Sequence, residues 1–174
     1  MSNIKGPDSA QNHDCEFERL VHEHQKKLLR MCYLYLRDKT LAEDAVQETF
    51  IKVYRNMQSF RGESSEKTWL MKIAMNTCHD IHRSHWFKLI DPRYTPDMCP
   101  EASEPFEQEE EDLIAEIMQL PLKLREVILL YYYQDMTVTE IADSLGISQS
   151  SVSGRLKRGR DKLRILLERR DINE

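Results

Sequence analysis

Four of the six prolines in this chain fall between positions 92 and 105, at Pro92, Pro96, Pro100 and Pro105. Proline has no N–H to donate and clashes with the preceding helical turn, so neither a helix nor a central strand runs through such a stretch. The run that follows, 101–116, carries eight acidic side chains and no basic one. Like charges along a proline-rich segment repel and extend it. The stretch 88–108 therefore reads as a flexible linker. It divides the 174 residues into a front unit, 14–87, and a back unit, 109–170. Each is small, and no internal repeat relates them.

Both units read as helical. In the front unit Phe17, Leu20, Val21, His24, Leu28, Met31 and Cys32 recur at three- and four-residue steps, the period of a one-sided helix. Thr40 followed by Glu43 has the form of a capping box, predicting that a second helix starts there with Leu41, Ala45, Val46, Phe50, Val53 and Met57 on its apolar stripe. A loop, Phe60–Ser65, precedes a third helix expected over 67–85. No segment alternates with the two-residue period of a strand, so the fold class is all-α.

In the back unit, Pro121 interrupts an apolar helix that begins near Leu113. The segment 125–133 is apolar enough to be buried, and its three tyrosines, Tyr131, Tyr132 and Tyr133, read as core. Thr137 and Glu140 form a second capping box, Gly146 closes that helix, and Ser148 suits the N-cap of a last helix reaching about Arg169.

Several classes fall away. No run of about 18 apolar residues exists, so no membrane insertion is expected. The first 14 residues are polar and lack the apolar stretch of a secretory signal, which points to the cytoplasm. Cys15, Cys32, Cys78 and Cys99 are scattered and read as free thiols. No phosphate-binding glycine loop or nucleophile elbow occurs, so neither an enzyme nor a cofactor is expected.

The net charge is -5, yet its distribution is uneven. From Ser148 to Arg170 there are eight cations and two acids. This basic segment follows Glu140-Ile-Ala-Asp-Ser-Leu-Gly-Ile-Ser148, which has helix-turn-helix spacing. Ala142 lets two helices cross closely, Gly146 makes the turn, and Ile141, Leu145, Ile147 and Val152 share a core. At 100° per residue, Val152, Leu156, Gly159 and Leu163 cluster on one side of the last helix. Ser150, Ser153, Gly154, Lys157 and Arg158 fall on the other, a small, polar and basic face able to enter a major groove. Arg155 and Arg160 flank the core side and suit phosphates or pairing within the domain.

The front unit narrows the class. Ala42-Glu-Asp-Ala-Val-Gln-Glu-Thr-Phe50, Phe60-Arg-Gly62, Trp69-Leu-Met-Lys-Ile-Ala-Met-Asn76 and Asp80-Ile-His-Arg83 resemble region 2 of bacterial sigma factors. Leu120-Pro121, the helix-turn-helix and Arg155-Leu-Lys-Arg-Gly-Arg160 resemble region 4. A chain with these two regions alone resembles the extracytoplasmic-function (ECF) group. The resemblance implies a transcription initiation factor whose partners are core RNA polymerase, through its largest and second-largest subunits, promoter DNA, and an anti-sigma factor. It implies that Asp44, Gln47 and Glu48 dock on the polymerase. It implies that Phe60, Arg61, Ser64, Asn76 and Arg83 serve the -10 element and its melting. Ser150, Ser151, Ser153, Gly154, Arg155, Lys157 and Arg158 would then serve the -35 element.

Some readings stay open. Trp69 reads as core, and Asn76 as either a buried cap or a base contact. Where the family often has several Arg or Lys residues after Asp80, this chain has His79, His82, Arg83, His85 and Lys88, implying a weaker, pH-dependent pull on DNA. Cys78, His82 and His85 share a helical face, where metal binding is an alternative to a polar, DNA-facing helix end. The rival function is an autonomous helix-turn-helix regulator with a sensory or dimerising front domain.

Overall fold

A computed structural model of the chain describes residues 7–89 and 108–171. The front unit consists of α1 (Pro7–Leu36), α2 (Lys39–Asn56) and α3 (Glu66–Leu89). The back unit consists of α4 (Gln108–Gln119), α5 (Leu122–Ile128), α6 (Val138–Leu145) and α7 (Gln149–Asp171). The described residues contain helices and turns and no strand. Most of the linker expected at 88–108, including all four clustered prolines, lies outside the described residues, as does Cys99.

In the front unit α2 and α3 pack on α1. Leu28, Met31, Cys32, Tyr35, Ala42, Ala45, Val53, Leu70, Ala74 and Cys78 are buried between them. Burial of such side chains stabilises the fold by about 1.5–3 kcal/mol each for the larger ones. The first helix starts at Pro7, earlier than the expected boundary at 14.

The second helix corrects its predicted start. Its N-cap is Asp38, in extended conformation, whose Oδ1 accepts the Leu41 N–H at 2.8 Å. Thr40 therefore sits inside the first turn, and no capping box forms with Glu43. Arg37, at φ 62°, reverses the chain just before it and donates its N–H to the Tyr33 carbonyl at 2.7 Å. One extended residue after that reversal is all the connection allows, so the nearer carboxylate takes the cap.

The back unit follows the reading more closely. Pro121 caps α5. The Thr137–Glu140 capping box is present, and Gly146 ends α6 in the left-handed region at φ 64°. Ser148 Oγ accepts the Ser151 N–H at 3.2 Å. At Gly159 a Cβ would lie 3.0 Å from Ile128 Cγ1, so glycine lets α7 approach α5.

The tyrosine run departs from expectation. Residues Leu129–Tyr133 form a π-helical turn, closed by the Gln134 N–H on the Leu129 carbonyl at 3.2 Å. That wider turn keeps Leu129 and Leu130 inside and turns Tyr131 and Tyr132 out, at 37% and 50% exposure. Only Tyr133 packs back on the core, where its ring also receives the Arg30 guanidinium at 5.4 Å.

The two units also pack on each other, chiefly α6 against α3. The sequence reading did not anticipate that contact.

Candidate nucleic-acid interface

On α7, Val152, Leu156 and Gly159 face the core, and Ser150, Ser151, Ser153, Lys157 and Arg158 are exposed. Gly154 is half-buried, with nothing within 4 Å of where a Cβ would stand. Packing therefore does not require glycine there, whereas helix propensity disfavours it by about 1 kcal/mol. Ser148, Ser150 and Ser151 form a hydroxyl cluster at the helix start, with Oγ–Oγ distances of 3.0 and 2.8 Å from Ser148. Arg158 Nε donates to the Gly154 carbonyl at 3.2 Å, which lays its guanidinium along the exposed face.

Arg155 stands apart from this set. It turns inward and donates through Nη1 to Glu126 Oε1 at 2.6 Å. Glu126, buried on α5, also accepts from His79 Nε2 at 3.0 Å. A buried carboxylate with two such partners is a fixed anchor, and nothing in the local pattern around Glu126 marks it beyond its place in an apolar segment.

The loop residues predicted for DNA gather at one end of α3. Phe60 is half-buried, stacked on Trp69 at a centroid distance of 4.9 Å. Gly62 adopts φ 71°, which presents Arg61 and Glu63 to solvent. Ser65 caps α3, its Oγ accepting the Thr68 N–H at 3.1 Å, and Ser64 lies half-buried beside it. Trp69 packs partly against the core. Asn76 is exposed, so it is not a buried cap. Arg83 is exposed and paired with Asp80 one turn earlier. Trp69, Asn76 and Arg83 are seven residues apart, so they line up along one side of α3.

Asp44, Gln47 and Glu48 are exposed on α2, opposite Ala42, Ala45, Val46 and Thr49. Glu48 pairs with Lys52 at 3.5 Å. Gln47 borders an apolar groove of about 780 Å³ between α1 and α2, floored by Phe17, Val21, Phe50, Ile51 and Tyr54. Ile51 and Tyr54 are exposed at 38% and 44%. They fall off the buried stripe of α2, which is why periodicity alone did not mark them.

The histidines after the third helix's midpoint do not sit where a DNA-facing end would put them all. His79 meets Glu126, and His82 is half-buried near the Tyr35 ring. Burial, then the charges of Arg125 and His79, hold the His82 pKa below the usual imidazole range. Cys78 is buried with its Sγ 3.6 Å from Cys32 Sγ, and that hydrogen bond, then burial, pushes the Cys32 thiol up. The side chain of His85 lies outside the described residues. Among the described residues no group of His, Cys, Asp and Glu side chains is arranged to hold a metal ion. No helix among them is long and apolar enough to cross a membrane.

Residues 20–88 match the sigma-70 region 2 family, and residues 110–163 match the family of sigma-70, region 4. The chain is 29% identical over 162 residues to the ECF RNA polymerase sigma factor SigW of Bacillus subtilis (strain 168), across 85% of this chain and 87% of that protein. It is 31% identical over 134 residues to the RNA polymerase sigma factor SigZ of the same organism, across 76% of each. Its fold is like that of the sigma factor RpoE of Bartonella quintana, solved in a co-crystal with the anti-sigma factor NepR. The TM-score is 0.75 at 21% identity, over 88% of this chain and 97% of that one.

Proposed function

This chain belongs to the sigma-70 family as an ECF sigma factor with regions 2 and 4, and from that premise we propose that it brings core RNA polymerase to promoters by reading two separate elements. A sigma factor acts in transcription initiation and is not itself an enzyme. The observation that supports the finer reading is that Asp44, Gln47 and Glu48 on α2, Asn76 and Arg83 on α3, and Ser150, Ser151, Ser153, Lys157 and Arg158 on α7 are all exposed.

The polymerase surface is the exposed edge of α2. Asp44 and Glu48 offer carboxylates and Gln47 an amide, the set that suits an arginine-bearing helix of the largest subunit. The groove beside them supplies the apolar area that a charge cluster alone lacks. Exposed Ile51 and Tyr54 gain most from being covered. The second-largest subunit is the proposed partner of the back unit.

At the -10 element the work is to open the duplex and hold a base outside the stack. Unstacking costs a few kcal/mol, which a pocket recovers by stacking and by hydrogen bonds to the base edge. The Phe60–Trp69 pair and the loop through Ser64 form the pocket wall, and Asn76 and Arg83 carry the strand along α3. At the -35 element the exposed face of α7 enters the major groove. Ser150, Ser153 and Arg158 reach base edges, Lys157 meets phosphate, and Arg155, held by Glu126, stiffens the helix from behind. Ser151 braces the helix start, and Gly154 lets the DNA backbone come close. An anti-sigma partner is proposed from the fold shared with the RpoE of the NepR co-crystal.

The test is reconstitution: purified core polymerase with and without this chain on a duplex promoter carrying both elements. Co-purification and start-site-specific transcripts that need the chain support the reading. DNA binding that needs no polymerase, with no effect on initiation, would favour the autonomous regulator instead.

A further inference from the structure

A cavity of about 290 Å³ opens where the end of α1 meets α3, α5 and α7. Tyr35, His79, His82, Lys123, Glu126 and Arg155 supply its polar lining, and the rest of the wall is aliphatic. Glu126 is the one carboxylate in that wall, and both of its oxygens are taken. Oε1 accepts from Arg155 Nη1 at 2.6 Å, and Oε2 accepts from His79 Nε2 at 3.0 Å. The donors are not used up in the same way. A guanidinium carries more N–H groups than the single Arg155 contact with Glu126 uses. The Lys123 ammonium, at the exposed rim, has no ion pair or hydrogen bond among the described residues. Tyr35 keeps its proton, because burial and then the charge of Glu126 push its phenol up.

A further cation bears on the cavity from behind. The charge of Arg125 acts on His82, and Arg125 Nε is a buried donor without an acceptor among the described residues. Buried donors in native proteins nearly always have a partner, so an orphan asks for an explanation. Lys123, Arg125 and Arg155 thus surround a concave site that offers one carboxylate in return. Such an excess of positive charge in a cleft raises the local concentration of anions.

We propose that this cavity is a binding site for a phosphoryl dianion, either free phosphate or the phosphate of a small metabolite, held by Lys123 and Arg155. A phosphoryl group brings three acceptor oxygens and a charge of about -1.5 to -2 at neutral pH, which suits donors arriving from several directions. A carboxylate is planar, carries one charge and satisfies fewer of them. The volume restricts the organic part. Sites for drug-sized ligands start at about 300 Å³, so the fit is to a phosphomonoester of a few carbons rather than to a nucleotide. The site lies apart from the α2 edge and from the exposed face of α7, because Arg155 turns inward. Its occupant touches α1 and α3 of the front unit and α5 and α7 of the back unit. The proposal goes beyond the sigma-factor reading and does not depend on it.

The test is calorimetric titration of the full chain with inorganic phosphate and, separately, with glycerol 3-phosphate. Saturable binding to one site with a Kd below about 1 mM is expected for at least one of the two. Tighter binding of the ester identifies a metabolite as the source, and tighter binding of inorganic phosphate identifies the free ion. Phosphate also meets the exposed cations of α7, so variants locate the site. Lys123→Gln should weaken binding about tenfold or more, and Lys123→Arg should restore most of it. Lys157→Gln with Arg158→Gln should leave it unchanged. Lys123 is exposed, so its replacement leaves the packing intact. A second measurement reads the cavity directly. The imidazole proton signal of His82, identified by its absence in His82→Gln, should titrate at higher pH in saturating phosphate. An anion there offsets the positive charges that Arg125 and His79 place on His82. Absence of saturable binding by both probes overturns the proposal. So does binding that survives Lys123→Gln, binding lost in the α7 double variant, or a His82 titration that phosphate leaves unmoved.

Discussion

Arg125 donates through Nη1 to the main-chain oxygen of Tyr35, 3.0 Å away and ninety residues earlier in the chain. Its Nη2 donates to the carbonyls of Met118 and Leu120 at 2.6 and 2.9 Å. One buried guanidinium thereby ties together the C-terminal ends of α1 and α4, where the helix dipoles present negative charge. Burial lowers its pKa to about 10, so it remains charged at neutral pH.

Arg125→Met should therefore cost about 3 kcal/mol of stability, because buried carbonyls lose their donor. Urea denaturation followed by circular dichroism measures it. A loss below about 0.5 kcal/mol would show that the tie carries nothing.

Asp44→Ala with Gln47→Ala should weaken core polymerase binding at least tenfold while leaving the melting temperature within a degree or two. Both side chains are exposed, and surface changes of this kind move stability by less than about 0.5 kcal/mol. A fluorescence titration with labelled chain reads the affinity.

Asn76→Ala should leave folding and polymerase affinity intact and reduce open-complex formation severalfold. Because Asn76 is exposed, loss of folding is no longer the competing outcome. Permanganate reactivity of unpaired thymines reports it, and an unchanged footprint rejects the assignment.

Two substitutions on α7 separate packing from recognition. Gly154→Ala should raise stability by up to about 1 kcal/mol, since the added methyl meets nothing within the chain, yet weaken binding to the upstream element. Arg158→Ala should cost about 1–3 kcal/mol on the cognate element and far less on a mutated one. Arg160→Ala should lower both about equally. Equal behaviour of Arg158→Ala and Arg160→Ala across element variants would mean that the helix is rotated otherwise.

Acid should destabilise the chain through His82 and His24. Both have pKa values held below the usual imidazole value of 6.5, in each case chiefly by burial. The unfolded chain binds protons first as pH falls, so stability is full above about 6.5 and declines as pH drops through the lower folded values. Replacing both by Gln should flatten the fall between about pH 6.5 and 5. Thermal melts across that range check it.

Much of this was legible locally. The apolar steps of Leu28, Met31 and Cys32, the Thr137–Glu140 box, the turn at Gly146 and the exposed face of α7 follow from contacts within a few residues, and sequence spacing records such contacts directly. The family motifs pointed to the exposed edge of α2 for the same reason. At the start of α2 the Thr40–Glu43 spacing predicted the cap, and the geometry of the preceding turn gave it to Asp38. The π-turn at Leu129–Tyr133 moved two tyrosines outward because an i→i+5 turn shifts register, and apolar composition does not encode register.

What only the tertiary structure decided was the meeting of the two regions. Arg125 binds main-chain carbonyls, which every helix end offers, so its partner at Tyr35 leaves no mark in the sequence. Glu126 looked like one polar residue in an apolar run until α3 brought His79 to one oxygen and α7 brought Arg155 to the other. Thr68, Lys72 and His79 read as three unrelated positions, and they became one surface when α6 covered the first two and α5 the third. Periodicity says which face of a helix is covered. It does not say by what, because the partner is chosen by shape and charge between segments far apart in the chain.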